Sequence, residues 1–237
     1  MTPEQETDIM RLRGAQVTPK QIARQLGLRP AEVKAFIRDH AEELVLQRAN
    51  VSDAAPLHEC LINEGAAHWL LDHKAKTTAN GLAQIILSRQ DGNRFLLASY
   101  LLDYWCLGLK NCIPPRRKGK GDYELFKSTC ELQFDECFVT ITPEQAQSIV
   151  YGAIDYARSL GFEPHPDFNA KAQVHLGLRP ETLLPIEFGK DGQPFFVSGP
   201  YDDPSKVLET LEANVGPDKF KFLAGFDEVD LLDDDLF

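Results

Sequence analysis

Cysteine is scarce in this chain: five among 237 residues, an odd number with no CxxC pair. That excludes a disulfide framework and a zinc ribbon, and a reducing, cytoplasmic setting is expected. Long apolar runs are also lacking. None approaches the ~18 uninterrupted apolar residues that would span a bilayer, so no membrane partner is expected. The opening MTPEQETDIM is acidic and polar, not basic then apolar, so no secretory signal is expected. The chain has no Gly-rich phosphate loop, HExxH pair, GxSxG elbow or Walker sequence, which removes the commonest local signatures of catalysis. Positive charge is in deficit, with 25 Lys and Arg against 36 Asp and Glu. A net charge of −11 argues against a protein coated in nucleic acid. With 43% apolar residues the chain is otherwise an ordinary globular one, long enough for one or two domains.

The cations that are present are unevenly placed. Segment 11–38 holds Arg11, Arg13, Lys20, Arg24, Arg29, Lys34 and Arg38 against the single acid Glu32. Within it, VTPKQIARQLGLRPAEVKAFIRDH predicts a helix, a tight turn and a second helix. Thr18 caps the first, Pro19 opens it, and Gly27 stops it in a left-handed conformation. Pro30 starts the second, whose Val33, Phe36 and Ile37 form an i, i+3, i+4 apolar stripe against Ile22, Ala23 and Leu26. A preceding helix over 3–13, with Ile9, Met10 and Leu12, supplies a third wall.

These residues resemble the bacterial helix-turn-helix superfamily over about 3–45, carried by Ala23, Gly27 and Val33 and by the apolar Ile22, Leu26 and Leu28. The resemblance implies a DNA-binding unit, with Lys20, Arg24, Arg29, Lys34 and Arg38 against double-stranded DNA. The exposed Ala31, Glu32, Lys34, Ala35 and Arg38 would face the major groove. That face is poor in Asn, Gln and bidentate Arg, so phosphate contact is favoured over base reading. Three-helix units also serve as protein-docking modules, and that reading stays open.

The middle predicts one α+β domain. LAQIILSRQ and RFLLASYLLDYWCLGL read as strands about an Asp91-Gly92 hairpin, with a helical end to the second run. IPPRRKGKGD reads as a basic, mobile loop, whose Arg116, Arg117, Lys118 and Lys120 offer a second phosphate contact or a solvated turn. Helices follow over 121–134, 142–162 and 166–177, the second capped by Thr142 and stopped at Gly161. A hairpin about Asp191-Gly192, a helix from Asp203 and a strand KFKFLAG close the domain. The echo of LGLRPAE in LGLRPET at 176–182 reads as a shared glycine stop and proline start.

Candidate chemistry in the middle is sparse. His165 and Asp167 lie between prolines in GFEPHPDF, where a rigid backbone suits a metal or acid–base site or simply starts a helix. His175 follows two turns later. Asp103 interrupts the most apolar run, where a buried carboxylate is costly unless paired or metal-bound; it reads as an outward-facing or capped acid at a strand end, or as part of a site. Cys106, Cys112, Cys130 and Cys137 fit no zinc frame and read as core thiols. LLDYWCLGLKN, GFEPHPDF and EFGKDGQPFFVSGP resemble segments of uncharacterised bacterial proteins, which implies no activity.

FDEVDLLDDDLF ends the chain with six acids, no base and interleaved apolar residues, and predicts a segment disordered when free. It resembles the acidic tip of bacterial single-stranded-DNA-binding protein and the sliding-clamp-binding peptide, whose Asp-Leu-Phe is matched by Asp235, Leu236 and Phe237. Asp233 stands where the clamp peptide has Gln, and Leu236 where the other tip has Pro. The resemblance implies that Asp233, Asp234, Asp235, Leu236 and Phe237 enter an apolar pocket ringed by cations on a protein partner.

The sequence thus predicts an α+β protein in three parts: a helix-turn-helix unit over 1–50, an α+β domain over 57–225 and a disordered acidic tail over 226–237. Its leading function is a DNA-associated adaptor or regulator, non-enzymatic and without cofactor. One alternative is a hydrolase or nuclease holding a divalent metal through His165 and Asp167. Asp103 would join them, and Lys190 or a loop Arg would stabilise anionic charge. Another is a protein-docking subunit of a larger assembly without DNA contact.

Overall fold

A computed structural model describes residues 1–41, 43–44, 55–72 and 80–223. Three helices come first: α1 (Pro3–Gly14), α2 (Pro19–Leu26) and α3 (Pro30–Asp39). Each opens on a proline, whose missing N–H costs nothing in a first turn. Thr2 and Thr18 each accept a hydrogen bond from the N3 amide, while Gln5 and Gln21 reach back to the cap amide, closing two capping boxes. Gly27 ends α2 at φ 65°, as its place in the sequence predicted. Ile9, Met10, Ile22, Ala23, Val33, Phe36 and Leu44 then close an apolar centre of their own.

The remainder is mixed α+β. β1 (Leu57–Asn63), β2 (Leu82–Asp91), β3 (Arg94–Asp103), β4 (Gly108–Lys118) and β5 (Phe138–Thr140) form an antiparallel sheet in the order β4-β3-β2-β1-β5. Alternation divides its side chains. Ile62, Ile85, Leu87, Tyr100 and Leu102 face α4 (Glu64–Leu71), α6 (Pro143–Ser159) and α7 (Ala170–Leu176). Leu61, Ile86, Phe95 and Leu97 face α5 (Lys120–Phe134), through its Tyr123 and Cys130. Both faces are covered, which is why the strands carry continuous apolar stretches, 85–87 in β2 and 95–98 in β3. A third apolar cluster joins Cys106 and Leu160 to β6 (Phe195–Val197) and α8 (Pro204–Asn214). β6 pairs in parallel with β7 (Lys221–Leu223).

The structure corrects four expectations. The long apolar run does not end in a helix: it turns at Tyr104–Leu107 and returns as β4. The basic segment is not a loop, because Ile113–Lys118 belong to β4. Pro114 and Pro115 are tolerated there because β4 is an edge strand, so their missing N–H groups break no inner ladder, and the register shifts beside them. The Asp191-Gly192 hairpin is one antiparallel bridge, Lys190 with Gln193, before Phe195–Val197 turns to its parallel partner. Gly177 stops α7 as expected, but no helix starts at Pro180, so the proline start read into LGLRPET is absent. β1, α4 and β5 carried no expectation.

Two inner contacts hold the sheet to its helices. Asn63 binds the Gln84 amide and the Glu136 carboxylate, locking β1 to β2 and to the end of α5. Gly108 opens β4 at φ 67°, where a Cβ would lie 2.5 Å from Ala157 Cβ and 2.8 Å from the Ala153 carbonyl oxygen. The small side chains of α6 thus let its backbone press on the start of β4.

Candidate functional site

Helical spacing sorts the N-terminal cations. Lys20 and Arg24 are one turn apart on α2, Lys34 and Arg38 one turn apart on α3, and Arg29 sits between the helices. All five are exposed. Such like-charged i, i+4 pairs cost an isolated helix about 0.2–0.5 kcal/mol each, a cost the fold carries without need. Among the described residues, Lys20, Arg24, Arg29 and Lys34 make no ion pair, while Arg38 lies 3.1 Å from Asp39. Glu32, the one acid of segment 11–38, accepts the backbone N–H of Arg29 at 3.3 Å. Its carboxylate is therefore engaged with the backbone.

The other candidate residues are tied to the fold. Asp103 is buried, and its Oδ1 accepts the backbone N–H groups of Trp105 at 3.0 Å and Cys106 at 2.9 Å. Burial pushes its carboxyl up to about 6, against the pull of those amides, the Leu107 amide and the Lys110 charge. Asp103 shapes the β3–β4 turn. Lys110 goes elsewhere, to Asp202 at 2.6 Å, stapling β4 to the loop before α8. His165 donates its backbone N–H to the Leu109 carbonyl, and its Nδ1 accepts the Asp167 backbone N–H at 3.2 Å. The Asp167 carboxylate is exposed, and α7 begins later, capped by Asn169. Lys190 Nζ sits 4.4 Å from the ring centre of Trp105 and 4.6 Å from that of Phe195, so two π faces hold its charge.

Asp103, His165 and Asp167 are not brought together as a metal centre. No group of three or more His, Cys, Asp or Glu among the described residues is placed to hold a metal ion. His175 is buried beneath β2 with Nε2 3.2 Å from the Leu87 carbonyl, and burial lowers its pKa to about 4, leaving a neutral donor. Burial pushes the Cys60 and Cys112 thiols up to about 12 and Cys130 to about 11, so none is a thiolate at neutral pH. Tyr104 Oη and Trp105 Nε1 are buried with no hydrogen-bond partner at bonding geometry among the described residues. A cleft of about 190 Å³ lies between α5 and the sheet, lined in part by Gln84, Ser99, Asn111, Phe126 and Gln133, with no charged group on its walls.

Pairing brings one cation into play that the sequence did not single out. The β3–β4 register sets Lys118 opposite Phe95 and Arg116 opposite Leu97, so Arg94 lies at the same sheet end as Arg116, Arg117 and Lys118. Only the hairpin signal at Asp91-Gly92 hinted at this position. The tail residues Asp233, Asp234, Asp235, Leu236 and Phe237 lie outside the described residues. No helix among the described residues is long and apolar enough to cross a membrane. No protein-family model, curated protein or solved structure matches this chain.

Proposed function

We propose that this protein is a DNA-associated adaptor. Its three-helix unit sits on the phosphates of duplex DNA, and its acidic tail recruits a protein partner with a basic, apolar pocket. The observation that supports this most is the set of exposed, largely unpaired cations on α2, the turn and α3 in a chain of net charge −11. The α3 face offers Ala31, Glu32, Lys34, Ala35 and Arg38, so binding is of low sequence preference and rests on phosphate neutralisation. A cytoplasmic, reducing location belongs to the same reading, since all five cysteines are free and four are buried.

The test is titration of the full chain onto a generic duplex at several salt concentrations. Lys34→Glu with Arg38→Glu is expected to weaken binding at least tenfold and to leave the melting temperature within a few degrees, because both side chains are exposed. Unchanged affinity rejects the DNA role of the helices. For the tail, the full chain is titrated onto a purified bacterial sliding clamp. Removing Leu236 and Phe237 is expected to lower affinity at least tenfold, as burying each side chain contributes about 1.5–3 kcal/mol. Equal binding by the two chains reduces the tail to a solvated end.

A further inference from the structure

A single three-helix unit with few base-reading side chains gives modest affinity, and the far end of the five-stranded sheet carries a matching feature. Arg94 on β3, Arg116, Arg117 and Lys118 on β4, and Lys120 at the first turn of α5 gather there through strand register and chain continuity. Arg117 pairs with Asp91 at 2.5 Å. Arg94, Arg116, Lys118 and Lys120 make no ion pair among the described residues, and only Lys118 among them is as much as half-buried. Asp122 and Glu124 follow on α5 and Glu59 lies on β1 at the level of Arg116, and Lys127 pairs with both glutamates. Four cations without an ion pair among the described residues, in a chain of net charge −11, form a local positive field, which attracts a polyanion and is costly to keep without one.

Edge protection does not account for the cluster. Pro114 and Pro115 already blunt β4 against strand addition, while Arg94 lies on an inner strand and Lys120 on a helix. We infer that this sheet end is a second contact for the phosphates of duplex DNA, acting with the three-helix unit; the inference rests on the proposed DNA binding by the helices. The chain between Leu44 and Pro56 reaches at most about 40 Å when extended. Two weak phosphate contacts joined by so short a span act on one duplex with a raised effective concentration.

The experiment uses the full chain, a generic duplex and fluorescence anisotropy between 50 and 200 mM salt. Arg94→Gln, Arg116→Gln, Lys118→Gln and Lys120→Gln together are expected to lower affinity more than tenfold. They should also flatten the slope of log K against log salt by about 3.6, since each of the four lost phosphate contacts removes about 0.9. Arg94→Lys with Arg116→Lys keeps the charge and is expected to keep the slope, which separates charge from damage to the fold. If the four-Gln protein binds with wild-type affinity and slope while Lys34→Glu with Arg38→Glu weakens binding, the sheet-end inference is overturned and the helical reading stands. Loss with the four-Gln protein alone, the helical variant binding normally, supports the sheet end and overturns the helical reading. A wild-type chain that binds no duplex at 50 mM salt overturns both.

Discussion

Gly108→Ala is expected to destabilise the protein by about 2–5 kcal/mol, read as a shift of the urea midpoint. Two costs combine. The left-handed backbone at φ 67° costs about 1–2 kcal/mol for a residue with a Cβ. The new methyl would also lie 2.5 Å from Ala157 Cβ and 2.8 Å from the Ala153 carbonyl oxygen, so α6 must move off β4, an overpacking cost of about 1–3 kcal/mol. Gly92 provides the comparison. Its φ is 60° and nothing lies within 4 Å of its Cβ position, so Gly92→Ala carries the backbone cost alone. Ala157→Gly in the Gly108→Ala background is expected to recover part of the loss. Equal destabilisation by Gly108→Ala and Gly92→Ala would show that the approach of α6 is not tight.

Acid is expected to separate two variants that are alike at neutral pH in all but one titration each. The Asp103 carboxyl has a folded pKa of about 6 against 3.8 in the open chain. Its protonated form is favoured by folding, so its contribution is fully present below 3.8 and is lost as pH rises through 6. His175 has a folded pKa of about 4 against 6.5. The unfolded chain therefore takes up its proton first, and stability is lost as pH falls from 6.5 to 4. Each shift corresponds to about 3 kcal/mol, with opposite sign over nearly the same window. In the wild type the two contributions nearly cancel. Asp103→Asn keeps an acceptor for the Trp105 and Cys106 amides and removes the acid gain, so its stability is expected to fall by about 3 kcal/mol more than wild type from pH 7 to 4. His175→Gln keeps a donor for the Leu87 carbonyl and is expected to gain by about the same amount. Urea unfolding at both pH values measures the difference, in which the remaining carboxylates cancel; parallel curves for the two variants would refute it.

The parts that were legible in the sequence are those written locally. Thr18, Pro19, Gly27 and Pro30 each act on their own turn of chain, so α2, the turn and α3 could be placed, and with them the exposure of Lys20, Arg24, Lys34 and Arg38. Asp91-Gly92 fixed the β2–β3 hairpin in the same way. β4 was misread because a Pro-Pro pair is allowed or forbidden by a strand's place in the sheet, which is not local. β1 escaped because Leu57–Glu59 are polar or half-exposed, and its partners lie far along the chain. Arg94 joins Arg116 and Lys118 only through register. Asp103 was read as an outward-facing or capped acid at a strand end, or as part of a site; it ends β3 buried rather than outward, with the backbone amides two and three residues on as its partners. Lys190 was read for its charge, whereas the aromatic neighbours that hold it lie in Trp105 and Phe195.

The strand order also sets a timetable. β2, β3 and β4 are consecutive hairpin neighbours and can pair as soon as each leaves the ribosome. β1 has β2 on one side, but on the other Leu61 waits for Thr140. At about 5–20 residues per second, the outer edge of β1 stays without its partner for roughly 4–15 s of synthesis. Only three residue pairs finally close it, Leu61, Ile62 and Asn63 with Thr140, Val139 and Phe138. Before β5 emerges ahead of α6, the strands available to pair are therefore the four of the meander, with β1 at its border.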